Sequence, residues 1–283
     1  MRNHKEKWKR RKDIAFYTVL ILILIVLTFP FIIMIGVSLK SSAEAISFPP
    51  TIIPKNFEIQ HYIDIFNVHI FPFVKYFKNS LIITLLTCII VVMLGIFGGY
   101  ALARLKFTGR KIINEGFFFV YMFSGLLLLV PLYKIIVSLG LRDSLYGVVI
   151  CMVVQTLPTA IYMTRSYFET VPYELEEAGT VDGLSRMGTI FKIMVPLSIP
   201  GLISVFVYAF MIAWNDVLFA SILLDSPDNL TITIGLNSLF NTPDYIWGRM
   251  MAASIVTSLP IIVMYTISQR LIKSGATEGG VKG

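Results

Sequence analysis

Six stretches of this chain carry no charged residue over a length that suits a membrane crossing: 14–39, 79–103, 116–133, 144–164, 193–215 and 250–269. A helix needs ~20 residues to cross the hydrocarbon core. Five of the runs reach that length. The run 116–133 reaches it by extending through Glu115 or Lys134, whose polar ends can snorkel. No water is present there to satisfy backbone groups, so each run must form helix. Only 14% of the 283 residues are charged, against ~25% in an ordinary soluble domain. The pattern predicts an all-α polytopic membrane protein with six transmembrane helices, over about 14–38, 77–103, 113–135, 144–165, 193–218 and 248–270. The first run is too long for a cleaved signal, and no clean small-residue cleavage site follows it. It is expected to remain as an anchor.

Orientation follows from Lys and Arg. With the N-terminus inside, segments 1–12, 104–111, 165–192 and 270–283 hold 17 of the 24 basic residues. Both termini are then cytoplasmic, as is the loop 165–192. The net charge of +7 fits a basic lead lying against an anionic inner leaflet, rather than nucleic-acid binding. Cys88 and Cys151 fall in separate spans and read as packing residues.

The one long charged, amphipathic insert is 171–200, VPYELEEAGTVDGLSRMGTIFKIMVPLSIP. Pro172 suits a helix start. Glu174, Glu176 and Glu177 then favour the positive end of the helix dipole. Gly179 and Gly183 bracket Thr180–Asp182, which reads as a helix end and tight turn. Leu184, Met187, Ile190, Phe191 and Met194 recur with helical spacing and form one apolar face. Pro196 and Pro200 predict a kink in the span that follows. The insert therefore reads as two short helices joined by a glycine turn.

Glu177-Ala178-Gly179, then Gly183, Ile193 and Pro196, resemble the "EAA" loop of ABC importer permeases, with Gly179 and Val195 standing where the pattern has Ala and Leu. Asp182, Phe191, Leu197 and Pro200 resemble the carbohydrate-importer form of the loop. Further similarity lies in Pro54-Lys55-Asn56-Phe57 with Tyr62, in Asn79-Ser80-Leu81, and in Tyr100, Ala101, Ala103 and Arg104. It continues in Trp214-Asn215, where Phe219 stands two residues late, and in the ending with Gly275, Gly279, Gly280, Val281, Lys282 and Gly283. The resemblance to maltose-type permeases implies a MetI-like core spanning 13–273, between a basic lead at 1–12 and a cytoplasmic tail at 274–283. It implies that the loop 166–192 is a coupling helix docking on an ATPase subunit through Glu176, Glu177, Ala178, Gly179, Asp182, Gly183, Phe191 and Pro196. It also implies a second permease, two ATPase subunits, an extracytoplasmic substrate-binding protein, and location in the cytoplasmic membrane. The implied cargo is a sugar or oligosaccharide. A polyol, glycerol phosphate or small peptide is the alternative, and an ion channel or membrane enzyme a more distant one.

Elsewhere the residues leave choices open. Gly95 and Gly99 permit close helix packing. Gln155 in span four either bonds a neighbouring helix or lines a polar path. Asn79 and Asn215 are further path candidates. Tyr208 and Trp214 could stack on a sugar face or simply pack. In the external segment 39–76, Phe57–Phe66 suggests a short interfacial helix. In 221–246, which carries Asp225, Asp228 and Asp244, NLTITIGLNSLF reads as a re-entrant scoop or as a surface loop. The tail glycines suggest an extended or turning end.

There is no G-x-x-x-x-G-K-S/T, H-E-x-x-H, G-x-S-x-G or C-x-x-C sequence. His61 and His69 have no metal-site pattern around them. Glu176 and Glu177 point about 100° apart on a helix and form no facing acid–base pair. The chain therefore reads as a transport subunit with no cofactor of its own, ATP and Mg2+ being handled by the partner ATPase.

Overall fold

The computed structural model describes residues 2–121, 125–239 and 246–278. All regular structure among them is helical. In chain order the helices are α1 (Arg2–Ser38), α2 (Ser42–Ala45), α3 (Gln60–Phe66), α4 (Phe73–Arg104), α5 (Arg110–Tyr121), α6 (Gly125–Ser138) and α7 (Leu145–Glu169). They continue with α8 (Tyr173–Val181), α9 (Arg186–Thr189), a π turn at Ile190–Met194, α10 (Val195–Leu197), α11 (Ile199–Trp214), α12 (Leu218–Leu223), α13 (Ile232–Leu239) and α14 (Trp247–Glu278). Four of these are long and apolar enough to cross a membrane: α1 from Lys12, α4, α7, and α14 as far as Leu271. A fifth candidate is bent by 82° between Arg186–Leu197 and Ile199–Trp214. The kink expected from Pro196 and Pro200 is thus a full elbow, seated at Ser198. Within the expected span 113–135 the described residues are helical on both sides of 122–124, as the end of α5 and the start of α6.

Two compact units are formed, 1–73 with 239–257 and 74–238 with 258–283. In the first, α1 is exposed at every residue from Ile14 to Ile32. An apolar helix bare on all sides belongs in lipid or against a partner. Its C-terminal end is tied down: the Ser38 hydroxyl shares a hydrogen bond with Tyr62 on α3, at 2.9 Å. Glu44 accepts from the Lys55 N–H and the Thr51 hydroxyl, which together hold its carboxyl below the ordinary range. Asp64 on α3 pairs with Arg249 on α14 at 3.0 Å. The predicted helix at 57–66 is therefore present but begins at Gln60.

The second unit holds the core. Ile83, Met152, Val148, Phe219 and Leu223 form one buried cluster joining α4, α7 and α12. Ile96, Tyr100, Phe168, Ile190 and Met194 form another, under the π turn. The small face of α4 works as expected. A Cβ on Gly95 would stand 3.2 Å from Thr164 Oγ1, and one on Gly99 would stand 2.8 Å from Thr164 Cβ, so α4 and α7 touch nearly backbone to backbone. Cys88 and Cys151 are buried and free.

The turn between α6 and α7 clamps the 225–229 segment. Asp143 adopts φ +54°, a conformation Asp tolerates better than most residues. Its carboxylate accepts from the Ser226 hydroxyl and from the Ser226 and Asp225 N–H groups, which hold its pKa far below the usual carboxylate value. As far as Leu239, NLTITIGLNSLF is not an irregular loop. It contains α13, with Ile232 fully buried and Gly235 so near Tyr76 that a Cβ would stand 2.3 Å from Cδ2. Asp244 lies outside the described residues. At the other end, α14 runs through Gly275 to Glu278, so this part of the tail is helical rather than extended. Gly279, Gly280, Val281, Lys282 and Gly283 lie outside the described residues.

Candidate coupling site

The charged insert folds as α8, a turn, α9, the π turn and α10. Pro172 is the N-cap of α8, as its fixed φ favours. The end of the helix lies two residues later than the glycine spacing suggested. Gly179 is inside α8 and buried, and it is needed small: a Cβ there would stand 2.5 Å from Ile193 Cδ1. Gly183 makes the turn, at φ +82°. The Leu184 N–H donates to Gly179 O at 2.9 Å and the Gly183 N–H to Thr180 O at 3.0 Å. This is a Schellman cap, and it fixes the direction in which the chain leaves α8. Ser185 then caps α9 by accepting from the Gly188 N–H at 3.2 Å.

A Cβ on Gly183 meets no neighbouring atom, so its requirement is for backbone conformation and not for space. Gly183→Val should therefore destabilise the turn by roughly 1–2 kcal/mol or somewhat more for a branched side chain. Gly183→Asn should be much milder. Limited proteolysis of the purified complex at 180–186 reads this out. Equal cleavage of both variants would contradict the cap.

The sequence suggested that Glu176 and Glu177 act together on a partner. The structure separates them. Glu177 is exposed, with Ala178 beside it, whereas Glu176 is buried. The Glu176 carboxylate pairs with Arg104 at the last turn of α4, and both side chains are about nine-tenths buried. Tyr100 donates its hydroxyl to Glu176 Oε2 at 3.2 Å. Arg104 also donates to Val171 O and lies 5.7 Å over the Tyr173 ring. Glu176 thus anchors α8 to α4. Tyr100 and Arg104 were noted for their resemblance alone. Their four-residue spacing, which puts both on one face of a helix, was the signal that could have linked them to a buried acid.

Of the other coupling candidates, Asp182 is the exposed C-cap of α8. Phe191 is partly exposed and packs edge-on against Phe97, ring centres 6.1 Å apart. Pro196 lies exposed at the start of α10, just before the elbow. Tyr173 and Val181, which sequence reading did not single out, are exposed four residues either side of Glu177 and share its face of α8; Leu175 and Met187 are exposed as well. Val181 is 87% exposed. Tyr173 and Val181 thus form a short apolar ridge around Glu177. Beside it opens a cavity of about 720 Å3 whose walls include Tyr100, Arg104, Lys106, Glu177, Val181 and Arg186.

The path candidates fall at scattered positions. Asn79 is buried and donates its amide to Asp228 O and Leu230 O, both at 2.9 Å. Trp214 is 2% exposed, stacked on Phe210 at 5.6 Å with Phe77 edge-on at 5.4 Å. In this conformation it packs. Asn215 donates to Met211 O, one turn back along α11. Gln155 is half-buried opposite Gly125, where a Cβ would stand 2.7 Å from Nε2. Tyr208 is half-buried on α11. No cluster of three or more metal-ligating side chains occurs among the described residues.

Together, the lipid-length helices, the tight α4–α7 contact and the anchored amphipathic insert define an all-α, multi-pass membrane permease. The chain belongs to the family of binding-protein-dependent transport system inner membrane components, which matches residues 91–276. It is accordingly an inner-membrane ABC importer permease subunit and itself non-catalytic. It is 58% identical to the inner membrane ABC transporter permease protein YcjP of Escherichia coli (strain K12), over 95% of this chain and 96% of that one. It is 32% identical to the trehalose/maltose transport system permease protein MalG of Thermococcus litoralis, over 93% and 94% of the two chains. Its fold matches a chain of the crystal structure of a bacterial ABC transporter that imports the acidic polysaccharide alginate. That match has a TM-score of 0.81 and 20% identity, and covers 92% of this chain and 96% of that one.

Proposed function

We propose that this chain is one half of the membrane pore of a sugar or oligosaccharide importer, paired with a second permease. An extracytoplasmic binding protein delivers the sugar, and two ATPase subunits drive transport. α8 docks on one of them, on the cytoplasmic side. The observation that carries this reading is the division of labour in α8, where Glu176 ties the helix to α4 while Glu177 and an apolar ridge face outward. A helix held on one side and bare on the other can receive force and pass it into a span. The trehalose/maltose relative supports the sugar class.

On this reading there are six spans, α5 and α6 together forming the third. The permease core is 13–273, with 1–12 and 274–283 cytoplasmic, as the distribution of basic residues favours. Glu177, Ala178, Asp182 and Phe191 meet the ATPase, while Gly179, Gly183 and Pro196 shape the segment. Among the path candidates, Gln155, Tyr208 and Asn215 are assigned to the polar route, and Asn79 and Trp214 to its walls.

Proteoliposomes holding the assembled complex should take up labelled trehalose or maltose-type sugars only with internal ATP and the binding protein. Solute flux without ATP would reject the importer reading in favour of a channel. Glu177→Lys should lower ATPase co-purification by about 10-fold, the scale set by reversing a charge at a docking contact. Unchanged co-purification would remove Glu177 from the interface.

A further inference from the structure

The cavity beside α8 holds more positive charge than it neutralises. Five charged side chains line it: Arg104, Lys106, Arg186, Glu176 and Glu177. Arg104 and Glu176 cancel each other in the buried pair. Lys106 and Arg186 are exposed and make no ion pair among the described residues, although they face one hollow from two different elements. Lys106 follows α4, and Arg186 opens α9. Glu177 and Val181 belong at once to this hollow and to the outward ridge, so whatever covers the ridge also closes the cavity.

Resting on the reading of α8 as the ATPase dock, we propose that Lys106 and Arg186 form a second, electrostatic contact, receiving an acidic side chain of the docked ATPase subunit. The occupant is argued from charge and continuity. The ridge offers apolar surface, and the hollow adjoining it offers two cations without an ion pair among the described residues against the one carboxylate, Glu177, that ridge and hollow share. A partner that fits both carries a carboxylate on the segment entering the hollow. Such a contact sets orientation and register more than affinity. It also places the end of α4 and the start of α9 under one partner, so that docking grips both sides of the Arg104–Glu176 anchor.

The test uses the assembled complex and a carbodiimide, which activates a carboxylate for attack by the Lys106 amine. An amide forms, and the carbodiimide leaves as its urea. Mass spectrometry should find Lys106 joined to an Asp or Glu of the ATPase. The link should vanish in Lys106→Arg, which keeps the charge and loses the amine reactivity. Lys106→Glu combined with Arg186→Glu should weaken ATPase retention by about 5-fold at moderate salt, the scale of two partly exposed pairs, and the difference should shrink at high salt. A parallel arm with Ala178→Cys and a thiol-reactive crosslinker tests the dock itself. If the thiol introduced by Ala178→Cys reaches the ATPase and Lys106 links only within its own chain or nowhere, the second contact is overturned and the dock stands. If neither links, the dock reading fails too. If the double charge reversal instead strips bound anionic phospholipid and leaves ATPase retention intact, the hollow holds a lipid headgroup and the proposal is wrong.

Discussion

Arg104→Ala is expected to abolish ATP-driven uptake while the chain remains in the membrane and the complex still hydrolyses ATP. Arg104 and Glu176 are each about nine-tenths buried. Removing one member of such a pair strands the other and costs about 3–5 kcal/mol. That cost falls on the contact that fixes α8 to α4, and it shifts the anchored arrangement by about two to three and a half powers of ten. If α8 is the dock proposed above, its motion would then no longer be passed to α4, and hydrolysis would lose its response to loaded binding protein. Glu176→Gln should give the same phenotype more mildly, since the Tyr100 bond can remain. A second variant guards against simple misfolding. Arg104→Met with Glu176→Leu removes both charges, and an apolar pair of similar volume is often neutral in stability. It should recover assembly and part of the coupling. Near-normal uptake by Arg104→Ala would show that α8 moves its span by another route.

The second large effect is expected at Gly99, just over one turn before Arg104. A Cβ there would stand 2.8 Å from Thr164 Cβ and Cγ2 and 3.0 Å from the Arg165 backbone nitrogen. A backbone atom cannot swing aside as a side-chain end can, so Gly99→Leu must push α7 away from α4. Overpacking of this kind costs about 1–3 kcal/mol, at times more. The melting temperature of the purified complex should fall clearly. Gly116→Ala on α5 is the control. Nothing lies within 4 Å of its added Cβ, and Ala is favoured over Gly in a helix. Equal melting temperatures for Gly99→Leu and the parent would mean that the two helices are not in close contact.

Much of this was legible beforehand, for identifiable reasons. Membrane spans are written in uncharged length, and the positions of α1, α4, α7 and α14 follow from that alone. The small faces of Gly95 and Gly99 were readable because only close approach gives a span a use for such spacing. Gly183 was readable because a turn needs φ > 0. What was hidden depended on pairing across the chain. Nothing near Glu176 in sequence reveals that its cation comes from the end of α4, more than seventy residues away. The same holds for Asn79, whose polar amide suggested a path but is committed to the backbone of 228–230. Gly179 was misplaced at a helix end because glycine is used both for freedom and for smallness, and only Ile193 shows which applies. Gly275 misled for a related reason, since a glycine that weakens an isolated helix is carried along near the end of a long one.

The elbow between α10 and α11 has its corner at Ser198, with a proline two residues before it and another two residues after. Straightening the rod into one continuous helix would need donors at positions 196 and 200, and an imino nitrogen has none to give. Two missing donors four residues apart favour a break here, where the single Pro158 and Pro260 leave α7 and α14 continuous. A variant that restores one of the two donors leaves the other missing, so the break should survive either single replacement of Pro196 or Pro200.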